Sequence, residues 1–155
     1  MNIKEVVTKQ YREIIDSATK QVSRLTSPPE GWLRTNRKAL KIPVKVILEK
    51  AGIKKSELYR IEKAEVEGRL TLNKLKETAN AMGCDLYYAV VPRGEIKGII
   101  EDRARSHAKK LVRDASVHMQ LEDQATTTEQ VELQIDKVTE ELIKDMPDWF
   151  WKDTK

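Results

Sequence analysis

Apolar residues recur at helical spacing along nearly the whole chain. Over residues 3–26, Val7, Tyr11, Ile14, Ala18 and Leu25 form one stripe with Ile15 and Val22 beside it, which predicts an amphipathic helical arm that packs. The consecutive prolines of "SPPEGW", 27–32, forbid continued helix and set a boundary. From Glu30 to Gly83 the pattern becomes four short helices: "GWLRTNRKALK", "PVKVILEKAG", "IKKSELYRIEKAE" and "TLNKLKETANAMG". Pro43 suits a first helical turn, Gly52 and Gly83 suit helix ends, and Thr71 suits a cap. "CDLYYAVVP", 84–92, rich in Tyr and Val and closed by Pro92, reads as the one β-strand, with no second strand elsewhere to pair with it.

Beyond the strand, Ile96, Ile100, Ala104, Ala108, Leu111, Ala115 and Met119 predict one long amphipathic helix over about 94–122 with a basic opposite face. Val131, Ile135, Val138 and Leu142 predict a last helix, acidic outside, opened by threonines that can cap and stopped by Pro147. There is no internal repeat. The expected organisation is an N-terminal helical arm at 1–27, a domain at 30–92 and a C-terminal helical extension at 93–155.

Composition narrows the class. In 155 residues, 35% are charged and only 6 are Gly and 5 Pro, which fits a mostly helical globular protein rather than a disordered one. No apolar run approaches membrane-spanning length and no signal peptide is visible, so the expected location is the cytoplasm, with no membrane partner. Cys84 is the sole cysteine, which excludes an intrachain disulfide and disfavours a metal site. The net charge of +4 is uneven: residues 1–114 hold 25 bases and 15 acids, a balance of +10, while 115–155 hold 4 and 10, a balance of −6. A basic body attracts a polyanion such as DNA. An acidic tail mimics one, binds a second partner or is a solvated helix face.

Enzyme chemistry finds no foothold. There is no Gly-rich phosphate loop, no H-E-x-x-H and no Ser-His-Asp arrangement, and His107 and His118 read as packing or surface residues. No catalytic residue, metal or cofactor is expected. The sharper signal is a short helix, a glycine turn and a second helix with a polar outer face, the arrangement that carries a helix into the DNA major groove. Val46, Ile47, Ala51, Ile53, Leu58 and Ile61 supply an inner face; Lys54, Lys55, Ser56, Tyr59, Arg60 and Lys63 stay outside. Arg and Lys donate to guanine O6 and N7 or to phosphate, Ser goes either way, and Tyr meets phosphate or a thymine methyl. The alternative is a plain solvated face.

The stretch "LRTNRKALKIPVKVILEKAGIKKSELYRIEKAEVEGRLTLNKLKETANAMG" resembles the Xre-type, lambda-repressor-like helix-turn-helix domain in its A-G-I turn, its R-I-E and its T-L-x-x-L-x-x-x-A-x-A-x-G fourth helix. With "GWLRTNRKAL", "LYYAVVPRGEI", "DRARSHAKKLV" and "HMQLEDQA", nearly the whole chain resembles the mobile mystery protein A family, whose members typically lie beside a Fic-domain protein. The resemblance implies an all-α, lambda-repressor-like fold with N- and C-terminal helical extensions and one short strand, and an antitoxin-like or operon-regulating role. It further implies that Lys55, Ser56, Tyr59 and Arg60 read bases and that Glu62 partners an arginine of the first domain helix, Arg37. The chain departs from the family where Pro43-Val44 replaces the usual Ser-Gln and Lys54 replaces a Ser or Thr cap; Lys45 and Lys54 supply phosphate contacts instead. "KAEVEG" has Lys where a Fic-inhibitory hydroxyl belongs, so restraint of a Fic protein would use another surface.

These readings converge on a DNA-binding transcriptional regulator, an antitoxin of a Fic-type pair by resemblance. The alternative is a module that binds and neutralises a partner protein, with DNA contact incidental. The lone strand adds a homodimer: Leu86, Tyr87, Tyr88, Ala89, Val90 and Val91 pair with a second copy, so the operator would be an inverted repeat. Trp149, Phe150 and Trp151 either close the core or anchor a basic partner.

Overall fold

The computed structural model describes residues 1–121 and 127–153, with the side chains of 119–121 left aside. Among the described residues every regular element is a helix, seven in all: α1 (Ile3–Val22), α2 (Trp32–Ala39), α3 (Val44–Ala51), α4 (Lys55–Val66), α5 (Leu72–Ala81), α6 (Ile96–Leu121) and α7 (Thr128–Asp145). None of these helices is long and apolar enough to cross a membrane. The chain forms two compact units, residues 18–90 and the described residues of 1–17 with 91–155.

In the 18–90 unit α2 to α5 enclose a core of Leu33, Ile47, Leu58, Ile61, Ala79 and Met82. Left-handed glycines follow three of its helices, among them Gly52 at φ 65° after α3 and Gly83 at φ 69° after α5, a conformation that L-residues adopt at a cost. At the first of these ends Gly52 N–H and Ile53 N–H both return to the Leu48 carbonyl, so the chain reverses within three residues before α4 begins. Thr71 caps α5 through Lys74 N–H. The expected inner face is present except at Val46, which is exposed.

In the other unit α6 packs on α7. Ala104 and Ala108, both fully buried, let the helices approach closely around Ile100, Val112, Ile135, Leu142 and Phe150. Val112 is buried and Leu111 exposed, the reverse of the expected stripe: the buried seam steps by four from Ile100 through Ala104 and Ala108 to Val112, drifting about 40° around the helix at each step, where the expected stripe steps back by three to Leu111. Thr127 and Gln130 form a reciprocal capping box at the start of α7. The side chain of Met119, and "HMQLEDQA" beyond Leu121, lie outside the described residues.

Two expectations are corrected. Residues 84–92 form no strand: a strand exists through its ladder, and no backbone hydrogen bond reaches residues 85–92 among those described. The arm also does not pack on its apolar stripe, since α1 has no buried residue and Tyr11 and Ile14 are exposed. The partly covered residues are Arg12, Ile15, Asp16, Ala18, Thr19 and Val22, of which only Ala18 belongs to that stripe.

Candidate nucleic-acid interface

The outer face of α4 is set by what holds its inner face. Leu58 and Ile61 are buried in the core, and Glu62 is buried beside them. Arg37 on α2 meets Glu62 as a fork, Nε donating to Oε1 at 2.7 Å and Nη2 to Oε2 at 3.1 Å. This is the pairing that the family resemblance implies. The Glu62 hydrogen bond holds the Arg37 guanidinium above its already high pKa, against the opposing effect of burial. A planar two-bond fork fixes orientation as well as separation, so α2 and α4 are locked in register.

One turn on, Glu65 accepts from the backbone N–H groups of Trp32 at 2.7 Å and Leu33 at 3.0 Å. It caps α2 from another helix. The α2 N-cap is Gly31, at φ 81°, which has no side chain to do this. A Cβ on Gly31 would lie 2.9 Å from the Glu65 carboxylate, so the glycine leaves room for the cap. Sequence reasoning missed this contact. Its one signal is a helix start lacking Ser, Thr, Asp or Asn at the N-cap, and that does not say which of Glu62, Glu65 or Glu67 supplies the oxygen.

With α4 held in this way, Lys55, Ser56, Tyr59, Arg60 and Lys63 are all exposed, within about 140° of arc at 3.6 residues per turn. Lys54 is the α4 N-cap and Pro43 the α3 N-cap, and neither makes a side-chain cap hydrogen bond. Lys45, exposed in the first turn of α3, adds a charge from the preceding helix. The Lys55 ammonium stands 5.9 Å from the centre of the Tyr59 ring. Lys45, Lys54, Lys55 and Arg60 have no acidic partner among the described residues. Lys63 differs, with Nζ 3.8 Å from Glu67, whose carboxylate also takes Arg69. Hydrogen bonding from Arg69 pulls the Glu67 carboxyl below its ordinary pKa, and Lys38 does the same to Glu30. The face therefore offers four unneutralised cations, a hydroxyl and a phenol, and one lysine already engaged.

The other candidates are scattered. Leu86 and Val91 are half-buried, Ala89 is exposed, and Tyr87, Tyr88 and Val90 are 88%, 73% and 86% exposed. Leu86 and Tyr87 also line an apolar groove of about 240 Å³ with Leu33, Leu75, Ala79 and Met82. His107 is buried with Nε2 2.9 Å from the Phe150 carbonyl, which also accepts from Arg103 Nε at 2.6 Å; His118 is exposed. Phe150 is fully buried, whereas Trp149 and Trp151 are partly exposed. No cluster of three His, Cys, Asp or Glu side chains suited to a metal occurs among the described residues.

No protein-family model matches the sequence, no curated protein matches it, and no solved structure matches the fold.

Proposed function

We propose that this chain is a sequence-specific, double-stranded-DNA-binding transcriptional regulator built on a lambda-repressor-like helix-turn-helix, with α4 as its recognition helix. The observation that carries this reading is the outer face of α4: Lys54, Lys55 and Arg60 stand exposed and without acidic partners among the described residues, on a helix fixed from beneath by the Arg37–Glu62 fork and the Glu65 cap. Lys55 and Arg60, with Ser56 and Tyr59, read base edges; Lys45 and Lys54 hold phosphates. The protein acts as a homodimer through residues 86–91, which presents two recognition helices to an inverted-repeat operator. By its family resemblance it serves an operon beside a Fic-domain protein, as an antitoxin or as its regulator.

A second reading, a module that neutralises a protein partner, is favoured by α7, where Glu129, Glu140 and Glu141 stand exposed and would suit a basic surface, whereas Glu132 and Asp136 are already held by Arg105 of α6. Mobility shift separates the two. Salt-sensitive, sequence-preferring retardation supports the regulator, and no retardation at low salt supports the module.

A further inference from the structure

Residues 85–93 read Asp-Leu-Tyr-Tyr-Ala-Val-Val-Pro-Arg, an apolar run with one acid at one end and one base at the other. Asp85 and Arg93 are both exposed, and neither has an ion-pair partner among the described residues. No backbone hydrogen bond reaches 85–92 among the described residues. Large apolar side chains stand in solvent between the two charges, and such exposed patches mark interaction surfaces. A segment with opposite charges at its ends complements itself when a second copy runs antiparallel.

We infer that residues 85–93 are a self-complementary interaction surface whose partner is the same segment of a second copy, in the one register that sets Ala89 opposite Ala89. A two-fold axis normal to an antiparallel ladder places one residue opposite its own copy, so few registers compete. Centring on Ala89 puts Tyr87 opposite Val91 and Tyr88 opposite Val90, the aromatic with β-branched pairs that favour cross-strand packing, and Asp85 opposite Arg93. Centring on Tyr88 sets Asp85 against Val91 and leaves Arg93 opposite Gly83. Centring on Val90 sets Asp85 against Glu95, two like charges. The Ala89 register also suits Pro92: with Ala89 in a hydrogen-bonded pair, alternation makes position 92 non-hydrogen-bonded, so the missing N–H removes no ladder bond. A small residue at the axis lets the two backbones approach.

This register rests on the homodimer of the proposed function, but its test reads association rather than DNA. Sedimentation equilibrium of the full chain should give a micromolar or tighter dimer. Asp85→Arg and Arg93→Asp should each weaken it about tenfold or more, and the double swap should restore it. In a Cys84→Ser background, Tyr88→Cys, Ala89→Cys and Val90→Cys read the register without touching charge, and oxidative self-cross-linking should be strongest for Ala89→Cys. These variants decide the matter if a swapped chain loses its helical circular dichroism. A monomeric wild type, single swaps that dimerise like it, a double swap without recovery, or strongest cross-linking at 88 or 90 would each overturn the register. A monomer that still selects DNA would sink the pairing alone.

Discussion

The carboxylate of Glu65 receives the backbone N–H of Trp32 at 2.7 Å, so the start of α2 is capped by a side chain 33 residues away on α4. The contact satisfies helix-end donors and ties two helices together. Glu65→Ala should therefore destabilise the protein by about 1–2 kcal/mol, the usual worth of a lost cap, as read by urea unfolding. Gly31→Ala should also destabilise, by at least about 1–2 kcal/mol, because φ 81° is left-handed and the new Cβ meets Glu65. A neutral Glu65→Ala would remove the cap from the account.

Arg37 and Glu62 form the one largely buried ion pair of the 18–90 unit. Arg37→Met leaves an unpaired buried carboxylate and should cost about 3–5 kcal/mol. The double change Arg37→Met with Glu62→Leu should recover most of that loss, since both charges are then gone. Single and double variants of equal stability would contradict the locking role. Denaturant midpoints of the four proteins in the cycle supply the comparison.

Phe150 fills the end of the α6–α7 core, and its carbonyl is held by both Arg103 and His107. Phe150→Ala should cost about 3–5 kcal/mol, and truncation after Asp145 should unfold this unit. Trp149→Ala and Trp151→Ala, at partly exposed positions, should cost less. Thermal unfolding followed by circular dichroism orders the four variants; an intact truncated chain would return the aromatic cluster to a partner-binding role.

Glu30 and Glu67 add to stability on the acid side, because hydrogen bonds from Lys38 and Arg69 hold their folded carboxyls below the ordinary value. A folded pKa below the unfolded one contributes stability above about pH 4.3, lost as pH falls through the lowered value. Both groups are exposed, so the contribution should be small and shrink with salt. Urea midpoints between pH 3 and 7 should fall less steeply for Glu67→Gln than for the wild type; parallel curves would refute the assignment.

Much of this was legible because it is local. The caps at Thr71 and Thr127 and the glycine ends at Gly52 and Gly83 depend on a few neighbouring residues, and the α7 stripe of Val131, Ile135, Val138 and Leu142 faces the core as its period predicts. The Glu65 cap was hidden because sequence does not say which distant carboxylate reaches a bare helix start. Lys41, at φ 53° after α2, escaped for a related reason: left-handed backbone was sought at glycine. The strand over 84–92 was read from β-propensity, but a ladder needs a second edge, and none occurs among the described residues. At the interface, outward position at Lys55, Tyr59 and Arg60 followed from periodicity, whereas the engagement of Lys63 by Glu67 needed coordinates.

The most direct test of DNA recognition by α4 is selection from a randomised double-stranded pool, followed by anisotropy titrations on the enriched sequence at several salt concentrations. The expected result is an inverted repeat with half-site centres about 34–36 Å apart, one turn of DNA. Lys55→Ala or Arg60→Ala should lose about 1–3 kcal/mol there and relax one base pair. Lys45→Ala and Lys54→Ala should weaken every sequence alike and reduce the salt slope by about one, with Lys63→Ala smaller than either. No enrichment at low salt, or equal small losses for all five variants on selected and random DNA, would contradict the account.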